Sequence, residues 1–304
     1  KNFSDFFRIL RGIYEGQKLL KKIDPDVVFF KGGFVGFPIL IALKIRRFTQ
    51  SLQLLIPKAL RGKKSLSLPQ VFLHESDSSI GNLSKIFIKH ADHIFLSYPI
   101  EKYDIPSDSG SFSTTPLFWH DPKITSEEAA GGSTLPRIVI FGGSQGAQWI
   151  NRKIAQCHEQ LTAKYHITLV TGKGKSESIP PSIQQHEFLD QPDLYAAIAR
   201  SDLVITRSGS SIFQVFHLQK PALLIPLPGS AREHQLHNAE YFCKDQRICN
   251  YVEQGNCSDE QFLQKIEETL SDTVMTQTLK TQNIRSKERE IAERMLRTRL
   301  LQEN

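Results

Sequence analysis

Short apolar runs alternate with helix-like stretches along most of the chain. The strand-like runs cover residues 26–30, 70–74, 93–97, 137–142, 166–171, 202–206 and 222–226. Several of them, such as VVFF, IVIF and LLIP, are apolar at nearly every position, as expected of strands buried on both faces. Strands that alternate with helices in this way form parallel sheets covered by helices. The pattern therefore predicts an α/β fold.

The pattern is interrupted between residues 118 and 135. This stretch is polar and rich in small residues, and it has no apolar period, which is typical of a linker. The length of 304 residues also exceeds the usual size of one hydrophobic core. We therefore predict two domains and a final helix that packs back on the body. The predicted boundaries are 1–119 for the first domain, 120–135 for the linker, 136–275 for the second domain and 276–304 for the helix.

Several predicted strands end in glycine and polar residues. These ends read KGGF and HESDSSIGN in the first half, and GGSQGA, RSGSSIFQ and PGSAREHQLHNAE in the second. Ligands of parallel α/β sheets bind at the carboxyl ends of strands, and the free amides of a following helix attract phosphate. GGSQGA thus predicts a phosphate-binding loop. Taken alone, each end also fits an ordinary turn, a serine N-cap or an exposed helix face.

Composition narrows the class of partner. The net charge is +6 and the pI about 9.0, which fits an anionic membrane, a phosphorylated ligand or nucleic acid. Aromatic residues do not alternate with the basic clusters, so we expect no nucleic acid partner. The longest apolar run, 34–43, is about half of what a bilayer-spanning helix requires, so we expect no transmembrane segment.

The start of the chain and its cysteines add two expectations. The sequence begins with Lys1 and has no signal-peptide pattern, which indicates a cytoplasmic protein with a natural N-terminus upstream. The cysteines show no metal-ligand spacing and no disulfide framework. We expect free thiols at Cys157, Cys243, Cys249 and Cys257.

The strand-end motifs as a set resemble the MurG family of glycosyltransferases. GGSQGA, HES followed by GN, GGF ahead of a proline, RSGSSIFQ with KPALLIPLP, and HQ ahead of NA occur in the family's order. The resemblance implies an α/β fold of GT-B architecture, with two Rossmann-like domains around a central cleft. The first domain would face the acceptor and the membrane, and the second would bind the UDP-sugar.

The resemblance also implies an activity. The family moves N-acetylglucosamine from UDP-N-acetylglucosamine to lipid I, undecaprenyl-diphospho-N-acetylmuramoyl-pentapeptide, with inversion, and forms lipid II in peptidoglycan biosynthesis. The expected partners are therefore the nucleotide sugar, lipid I and an anionic membrane surface. The expected location is the cytoplasmic face of the bacterial cell membrane, as a peripheral protein.

The family's donor-binding positions fall mostly in the second half of this chain. Gly143, Ser144 and Gln145 would face the donor diphosphate, and Phe188 or Leu189 would lie against uracil. The other positions implied to bind substrate are Asp77, Ser210, Ser211, Ile212 and Gln214, with Gln235 and Asn238 holding hydroxyls of the transferred sugar.

Inverting transfer needs a base for the acceptor hydroxyl and a positive potential for the departing diphosphate. His74 and Glu75 at a strand end are the candidate bases, although both also fit a structural role. No DxD-like carboxylate pair follows a strand, so helix N-termini and basic side chains are the expected stabilisers. We expect no metal ion and no other cofactor.

The chain departs from the family pattern at several points. The family's first glycine-rich loop is absent from these 304 residues, so the N-terminal domain is expected to be incomplete. Gln214 stands where the family has a glutamate, Asp77 where it has an asparagine, and Phe118 near the position of an arginine. The segment 48–68 looks inserted.

The first predicted helix has the pattern of an interfacial helix. Phe3, Phe7, Leu10 and Ile13 or Tyr14 follow helical spacing beside basic residues, which favours contact with anionic lipid. The alternative is a stripe that packs into the core. We expect core packing for Leu19, Leu20 and Ile23.

Three other functions fit the same motifs. A related GT-B transferase would use another acceptor, such as diacylglycerol. A UDP-N-acetylglucosamine epimerase would act without an acceptor. A catalytically silent UDP-sugar-binding or scaffold protein would fit the missing loop. We favour the lipid I transferase.

Overall fold

The computed structural model describes residues 2–31, 34–55, 68–103, 105, 111–112, 135–143, 146–175, 179–230, 233–282 and 288–300. The chain forms two compact units. The first consists of residues 1–76, 80–113 and 287–304, and the second of residues 77–79 and 114–286. Except for residue 135, the predicted linker lies outside the described residues, so its boundaries stay predictions.

The first unit is built on one sheet of four parallel strands in the order β1-β2-β3-β4. Helices connect the strands, as the alternating pattern predicts. Its elements up to residue 112 are α1 (Asn2–Ile23), β1 (Val27–Phe30), α2 (Phe37–Leu55), β2 (Gln70–Glu75), α3 (Asn82–Ile88), β3 (His93–Leu96) and β4 (Ser111–Phe112).

Helices α1 and α2 lie side by side and run in the same direction. Gly16 allows the close approach, because a Cβ there would lie 3.0 Å from Ile39 Cδ1. Further along the pair, Gln17 Nε2 donates to the carbonyl oxygen of Ala42 at 2.8 Å. These contacts hold α1 to the body of the unit by one narrow face.

The narrow contact corrects part of the prediction for α1. Leu20 is buried, as expected, and its carbonyl oxygen accepts a hydrogen bond from Arg46. Leu19 and Ile23 are exposed, so their predicted core packing is wrong. The physical reason is that α1 packs against α2 along one face, through small residues such as Gly16. Leu19 and Ile23 therefore do not reach a second layer of the unit.

The second unit contains six parallel strands in the order β10-β9-β8-β5-β6-β7. Its first part comprises β5 (Arg137–Phe141), α4 (Gln148–Gln156), α5 (His158–Thr162), β6 (His166–Val170), β7 (Gln184–His186), α6 (Gln191–Arg200) and β8 (Leu203–Thr206). Its second part comprises α7 (Ile212–His217), β9 (Ala222–Leu224), α8 (His234–Glu240), β10 (Asn250–Tyr251), α9 (Asp259–Ser271) and α10 (Thr273–Thr281).

The core of the second unit lies between the central strands and the helices on one face. Ile140 and Ile205 from the sheet pack with Ile154 of α4 and Phe262 of α9, and all four are buried. Burying such side chains stabilises the fold by about 1.5–3 kcal/mol each. The strand ends are therefore fixed by a rigid scaffold.

The last helix, α11 (Glu288–Leu300), belongs to the first unit. Ile291 is buried against Phe72 of β2 and Phe95 of β3, whose ring centroids lie 6.0 Å apart. Val27 and Met295 pack around this cluster. The apolar side of α11 thus covers the sheet of the first unit.

Two of the four cysteines are not free thiols. Cys243 and Cys249 form a disulfide bond with a Cα–Cα distance of 4.5 Å. A π-helical turn at Tyr241–Asp245 and a left-handed residue at Arg247 fold the chain back over six positions, which the spacing alone does not reveal. The expectation of a free thiol is wrong for this pair, whereas Cys157 and Cys257 are free.

The described ranges contain no candidate for a membrane span or a metal cluster. No helix there combines the length and the apolar character that crossing a bilayer requires. The same residues contain no group of three or more His, Cys, Asp or Glu side chains placed to hold a metal ion.

Candidate functional site

The loop between β5 and α4 requires glycine. Gly143 and Gly146 have φ values of 81° and 65°, in the left-handed region that side chains disfavour. A Cβ on Gly146 would also lie 2.3 Å from the carbonyl oxygen of Thr171. Ser144 and Gln145, the predicted phosphate contacts, lie outside the described residues.

Helix α4 starts directly after this loop. Its N-cap residue, Ala147, makes no side-chain capping hydrogen bond. An uncapped helix start presents amide groups and the positive end of the helix dipole, which together attract anions. The loop and helix therefore have the local geometry that phosphate binding needs.

Asn151 ties the start of α4 to the loop after β6. Its side chain is buried, and Nδ2 donates to the carbonyl oxygens of Thr171 at 3.0 Å and Lys175 at 3.1 Å. Asn151 was not among the predicted site residues. An asparagine within an otherwise apolar helix face was the available signal, because a buried amide needs partners.

The loop after β8 is held by Arg207. This side chain is buried and donates to the carbonyl oxygens of Ile225 at 3.0 Å and Pro226 at 3.2 Å, and to Gln254 Oε1 at 2.9 Å. Burial lowers the pKa of Arg207 to about 10. Arg207 was not among the predicted site residues. The available signal was a charged residue directly after a buried strand. Arg207 fixes the loop after β8 to the loop after β9.

The predicted nucleotide contacts at the start of α7 differ in exposure. Ser210 is exposed and Ser211 half-buried, whereas Ile212 is fully buried. The Ile212 amide donates to the Gly209 carbonyl oxygen at 3.1 Å. Ser210 and Ser211 are therefore the members of this group whose side chains reach the surface. Nearby, Gln214 Nε2 donates to Gln191 Oε1 at 3.0 Å.

The two candidates for the uracil contact lie in different surroundings. Phe188 is 57% exposed, and Lys173 Nζ lies 5.4 Å from its ring centroid. Leu189 lines a cavity of about 660 Å³, together with Val139 and Ala196. Of the two, Phe188 presents an open aromatic face.

Gln235 and Asn238 both lie on α8 but differ in whether their side chains can reach a ligand. Gln235 is half-buried, and its Oε1 accepts from the Leu227 amide at 3.0 Å. Its carbonyl oxygen accepts from Ser208 Oγ at 2.6 Å. Asn238 is 1% exposed. We therefore find Gln235 within reach of a surface ligand and Asn238 beneath it.

The amide of Asn238 is fully engaged inside the second unit. Its Oδ1 accepts from the Ser78 amide at 2.9 Å. Its Nδ2 donates to Asp77 Oδ1 at 3.1 Å and to the Ser208 carbonyl oxygen at 3.0 Å. Because both amide hydrogens have protein acceptors, this side chain holds the segment 77–79 against the loop after β8.

In the first unit, β2 ends in the predicted base candidates His74 and Glu75. His74 is fully buried, its Nε2 lies 3.0 Å from Ser97 Oγ, and its ring stacks on Phe29 at 6.4 Å. Burial, with a smaller contribution from Lys31, lowers the pKa of His74 to about 3. His74 is thus neutral at physiological pH.

Glu75 is also mostly buried, and its Oε1 accepts a hydrogen bond from the Ser76 amide at 3.1 Å. Ser97, the partner of His74, ends the neighbouring strand β3 and was not predicted. The signal was a serine directly after an apolar strand run. β2 and β3 therefore end in adjacent polar side chains.

The structure describes most, but not all, of the α1 side chains that are predicted to contact the membrane. Phe7, Leu10 and Tyr14 are exposed, and Ile13 is half-buried. The side chain of Phe3 and residue Phe118 lie outside the described part of the chain. The exposed residues share one face of the helix, because positions separated by three or four residues are neighbours there.

Comparison with known proteins identifies the family of this chain. Residues 137–295 match the family model "Glycosyltransferase family 28 C-terminal domain". The UDP-N-acetylglucosamine--N-acetylmuramyl-(pentapeptide) pyrophosphoryl-undecaprenol N-acetylglucosamine transferase of Clostridium novyi (strain NT) is 30% identical over 88% of this chain and 71% of its own length. The transferase of the same name from Lachnoclostridium phytofermentans is 31% identical, with the same coverage of both chains.

A solved structure extends the similarity to the fold. The crystal structure of MurG from Acinetobacter baumannii has a TM-score of 0.61 and 23% identity, and the match covers 90% of this chain and 73% of that one. The predicted α/β fold of GT-B type is confirmed. The chain therefore belongs to the MurG family of N-acetylglucosamine transferases and carries a glycosyltransferase family 28 C-terminal domain.

Proposed function

We propose that this chain transfers N-acetylglucosamine from UDP-N-acetylglucosamine to lipid I, forming lipid II in peptidoglycan biosynthesis. The observation that carries the proposal is the match, over 88% of the chain, to transferases named for this reaction. The uncapped start of α4 after a glycine loop supports it, because the departing group is a diphosphate. The donor would bind to the second unit.

The donor contacts divide into groups that touch the ligand and groups that position others. The loop at Gly143 and the first amides of α4 would receive the diphosphate, with Ser144 and Gln145 of the same loop. Phe188 would stack on uracil, and Gln214 would hydrogen-bond the nucleotide without adding charge. The exposure of Gly143 and Phe188 and the half-burial of Gln214 support the roles of these three residues.

On α8, Gln235 would hold a sugar hydroxyl, whereas Asn238 would act through other residues. The three protein hydrogen bonds of Asn238 leave its amide no free hydrogen. We therefore assign it the positioning of Asp77 and of the loop after β8.

The proposed chemistry is a single displacement. The acceptor hydroxyl oxygen forms a bond to the anomeric carbon, while the bond from that carbon to the diphosphate oxygen breaks and its electron pair leaves with UDP. Glu75 would accept the hydroxyl proton. His74 is less suited, because it is buried and its pKa is lowered to about 3, so it would position the end of β2 through Ser97.

We propose that the reaction needs no metal ion and no cofactor. Amides and the helix dipole at α4 would stabilise the charge that develops on the diphosphate. Undiminished transfer in the presence of a strong chelator would support this.

The acceptor is anchored to a membrane, and we propose that α1 contacts it. Phe7, Leu10 and Tyr14 are exposed on one face, with Arg8, Arg11 and Lys18 on the same helix. Apolar side chains beside basic ones favour peripheral binding to anionic lipid. The proposed location is the cytoplasmic face of the membrane.

The test is a transfer assay on a short-chain, water-soluble lipid I, with UDP-N-acetylglucosamine or UDP-glucose as donor. The expected result is a disaccharide product with the first donor alone. Sugar epimerisation in the absence of acceptor would instead assign an epimerase. Tight donor binding without transfer would assign a silent binding protein.

A further inference from the structure

Lys173 lies in the middle of a tight turn after β6, which we call the lysine turn (residues 172–175). The Lys175 amide donates to the Gly172 carbonyl oxygen at 3.1 Å and closes the turn. Gly172 and Gly174 have φ values of 91° and 66°, which glycine adopts at no steric cost. The two glycines thus shape the backbone on either side of Lys173, whose side chain is exposed.

The lysine turn is anchored to the rest of the second unit on both sides. The buried amide of Asn151 donates to the carbonyl oxygens of Thr171 and Lys175, which precede and end the turn. On the other side, the Gly172 amide donates to the Glu187 carbonyl oxygen at 3.1 Å. Because the backbone is fixed, only the lysine side chain has to be ordered when a ligand binds, which lowers the entropic cost of binding.

The lysine turn lies directly against the glycine loop that precedes α4. A Cβ on Gly146 would lie 2.3 Å from the Thr171 carbonyl oxygen and 2.8 Å from the Cα atom of Gly172. Consecutive Cα atoms are about 3.8 Å apart, so Lys173 is one residue away from this contact. Its side chain therefore starts beside the loop and helix start that we propose for the diphosphate.

Lys173 differs from two other cations of the second unit in what holds it. Lys153 pairs with Asp259 at 2.6 Å, and Arg207 donates to three protein oxygens. The contact that the described residues provide for Lys173 Nζ is the ring of Phe188, whose centroid lies 5.4 Å away. A cation–π contact of an exposed lysine is weak, so the ammonium group can leave the ring for an anionic acceptor.

We propose that Lys173 binds the diphosphate of the donor and stabilises the negative charge that UDP gains as it leaves. The inference rests on the proposed function and adds a full positive charge to a site otherwise formed by amides and a helix dipole. When the bond from the anomeric carbon breaks, its electron pair stays on the diphosphate oxygen. The ammonium group donates a hydrogen bond to the diphosphate and keeps its proton. Such charge-assisted hydrogen bonds are stronger than those of neutral donors.

The charge of the diphosphate provides a test that is specific to this role. UDP ends in a phosphate group whose second ionisation adds a negative charge, whereas the sugar ester of UDP-N-acetylglucosamine lacks that ionisation. A cation on the diphosphate should therefore contribute more to the binding of UDP than to the binding of the donor. The difference is stabilisation that arises during transfer. A lysine that only positions Phe188 would contribute equally to both ligands, because both carry the same base.

The experiment is calorimetry of the 304-residue chain with UDP and with UDP-N-acetylglucosamine. Lys173→Met removes the charge and keeps an unbranched side chain, whereas Lys173→Arg keeps the charge. Lys280→Met is the matched control, because Lys280 is an exposed lysine on α10 of the same unit. We expect Lys173→Met to lower UDP affinity about tenfold and donor affinity about threefold. Lys173→Arg should keep most of both affinities, and the control should keep both unchanged.

Two results would overturn the inference. One is parent affinity of Lys173→Met for both ligands. The other is an equal loss for both ligands that disappears in the Phe188→Ala background, because Lys173 would then act only by positioning the ring. A thermal unfolding midpoint equal to that of the parent chain shows that Lys173→Met folds normally, as its exposed side chain predicts.

The same measurements separate this inference from the proposed function. If the parent chain binds neither ligand, the proposed donor site and the role of Lys173 are both overturned. If it binds both ligands but transfers no sugar to soluble lipid I, the transferase proposal is overturned, and the two affinity losses still decide the role of Lys173. Arg152 is exposed on α4. If Arg152→Met shows the larger loss for UDP and Lys173→Met does not, the cation is Arg152 and the inference is overturned.

Discussion

Asn238 Nδ2 donates a hydrogen bond to Asp77 Oδ1 at 3.1 Å, although the two residues are 161 positions apart in the chain. The pair lies in the second unit, where Asn238 also holds the Ser78 amide and the Ser208 carbonyl oxygen. Asp77 stands where the resemblance places an asparagine. Because an aspartate can accept this bond as well as an asparagine can, the departure preserves the contact.

Asn238→Ala should destabilise the second unit and weaken donor binding. It leaves the buried Ser78 amide without its acceptor, at a cost of about 1–3 kcal/mol, and it removes the hydrogen bonds to Asp77 and to the Ser208 carbonyl oxygen. Asp77→Asn is the matched variant and should keep nearly the parent stability, since its Oδ1 can still accept. Urea unfolding and calorimetry with UDP-N-acetylglucosamine measure both effects. Equal stability of Asn238→Ala and the parent chain would contradict the positioning role.

The glycine loop provides a second matched pair. Gly146→Ala places a Cβ 2.3 Å from the Thr171 carbonyl oxygen, whereas Gly174→Ala meets nothing within 4 Å at a similar φ of 66°. Both variants carry the left-handed cost of about 1–2 kcal/mol, but only the first displaces the loop. We expect donor affinity to fall about tenfold or more in Gly146→Ala, which corresponds to at least about 1.4 kcal/mol. Comparable affinities in the two variants would exclude the loop from phosphate binding.

The strands and site residues divide clearly into those that the sequence reveals and those it does not. All seven predicted strand runs overlap strands of the structure. Six of them are central strands, which are apolar because both faces are buried, and the seventh, β1, is apolar although it lies at an edge. Within the described part of the chain, the strands that were missed are β4, β7 and β10, and each lies at the edge of its sheet. An edge strand needs only a backbone ladder on one side, so a sequence such as the Gln-Gln-His of β7 suffices.

The candidate site shows the same division. His74 and Glu75, at the end of a buried strand, were found because chemistry concentrates at the ends of strands, whereas Ser97 and Arg207, each directly after a buried strand, were missed. The role of Asn238 was not found, since its partner Asp77 comes from the other half of the sequence. The disulfide between Cys243 and Cys249 depends on a π-helical turn, which leaves no periodic pattern. The role of Asn238 and the disulfide are set by the three-dimensional contacts of the folded chain, which the sequence pattern does not show.

Stability should depend on His74 at acid pH. The pKa of His74 is lowered from 6.5 to about 3 in the folded chain. Above about pH 6.5, His74 is neutral in both the folded and the unfolded state, so it contributes no pH dependence to the free energy of unfolding. As the pH falls from 6.5 towards 3, the unfolded state binds a proton that the folded state does not, and stability is lost at up to about 1.4 kcal/mol per pH unit.

His74→Gln should remove this proton-linked slope, and imperfect packing should lower its stability at pH 7.5, where His74 is neutral in both states. The measurement is urea unfolding at intervals from pH 7.5 to pH 4, and the readout is the difference in slope between the two proteins. Parallel curves would show that His74 is accessible to protons in the folded state.

Phe188 and Leu189 give opposite expectations for binding and stability. Phe188→Ala should weaken UDP binding about two- to tenfold, because base stacking contributes about 0.5–1.5 kcal/mol, and should leave the unfolding midpoint almost unchanged, since the ring is exposed. Leu189→Ala should lower stability and leave UDP affinity nearly unaltered. Calorimetry with UDP and thermal unfolding of both variants check this. The reverse result would assign the uracil contact to Leu189.

Glu75→Gln tests the proposed base. The substitution keeps the size of the side chain and a carbonyl oxygen that can accept from the Ser76 amide, as Glu75 Oε1 does at 3.1 Å, but it removes the proton acceptor. We expect kcat on soluble lipid I to fall about 100- to 10,000-fold, the usual contribution of general base catalysis, with UDP-N-acetylglucosamine affinity unchanged. His74→Gln should affect kcat less, since it acts through the position of β2. If His74→Gln abolished transfer and Glu75→Gln retained it, the base would be His74, despite its burial.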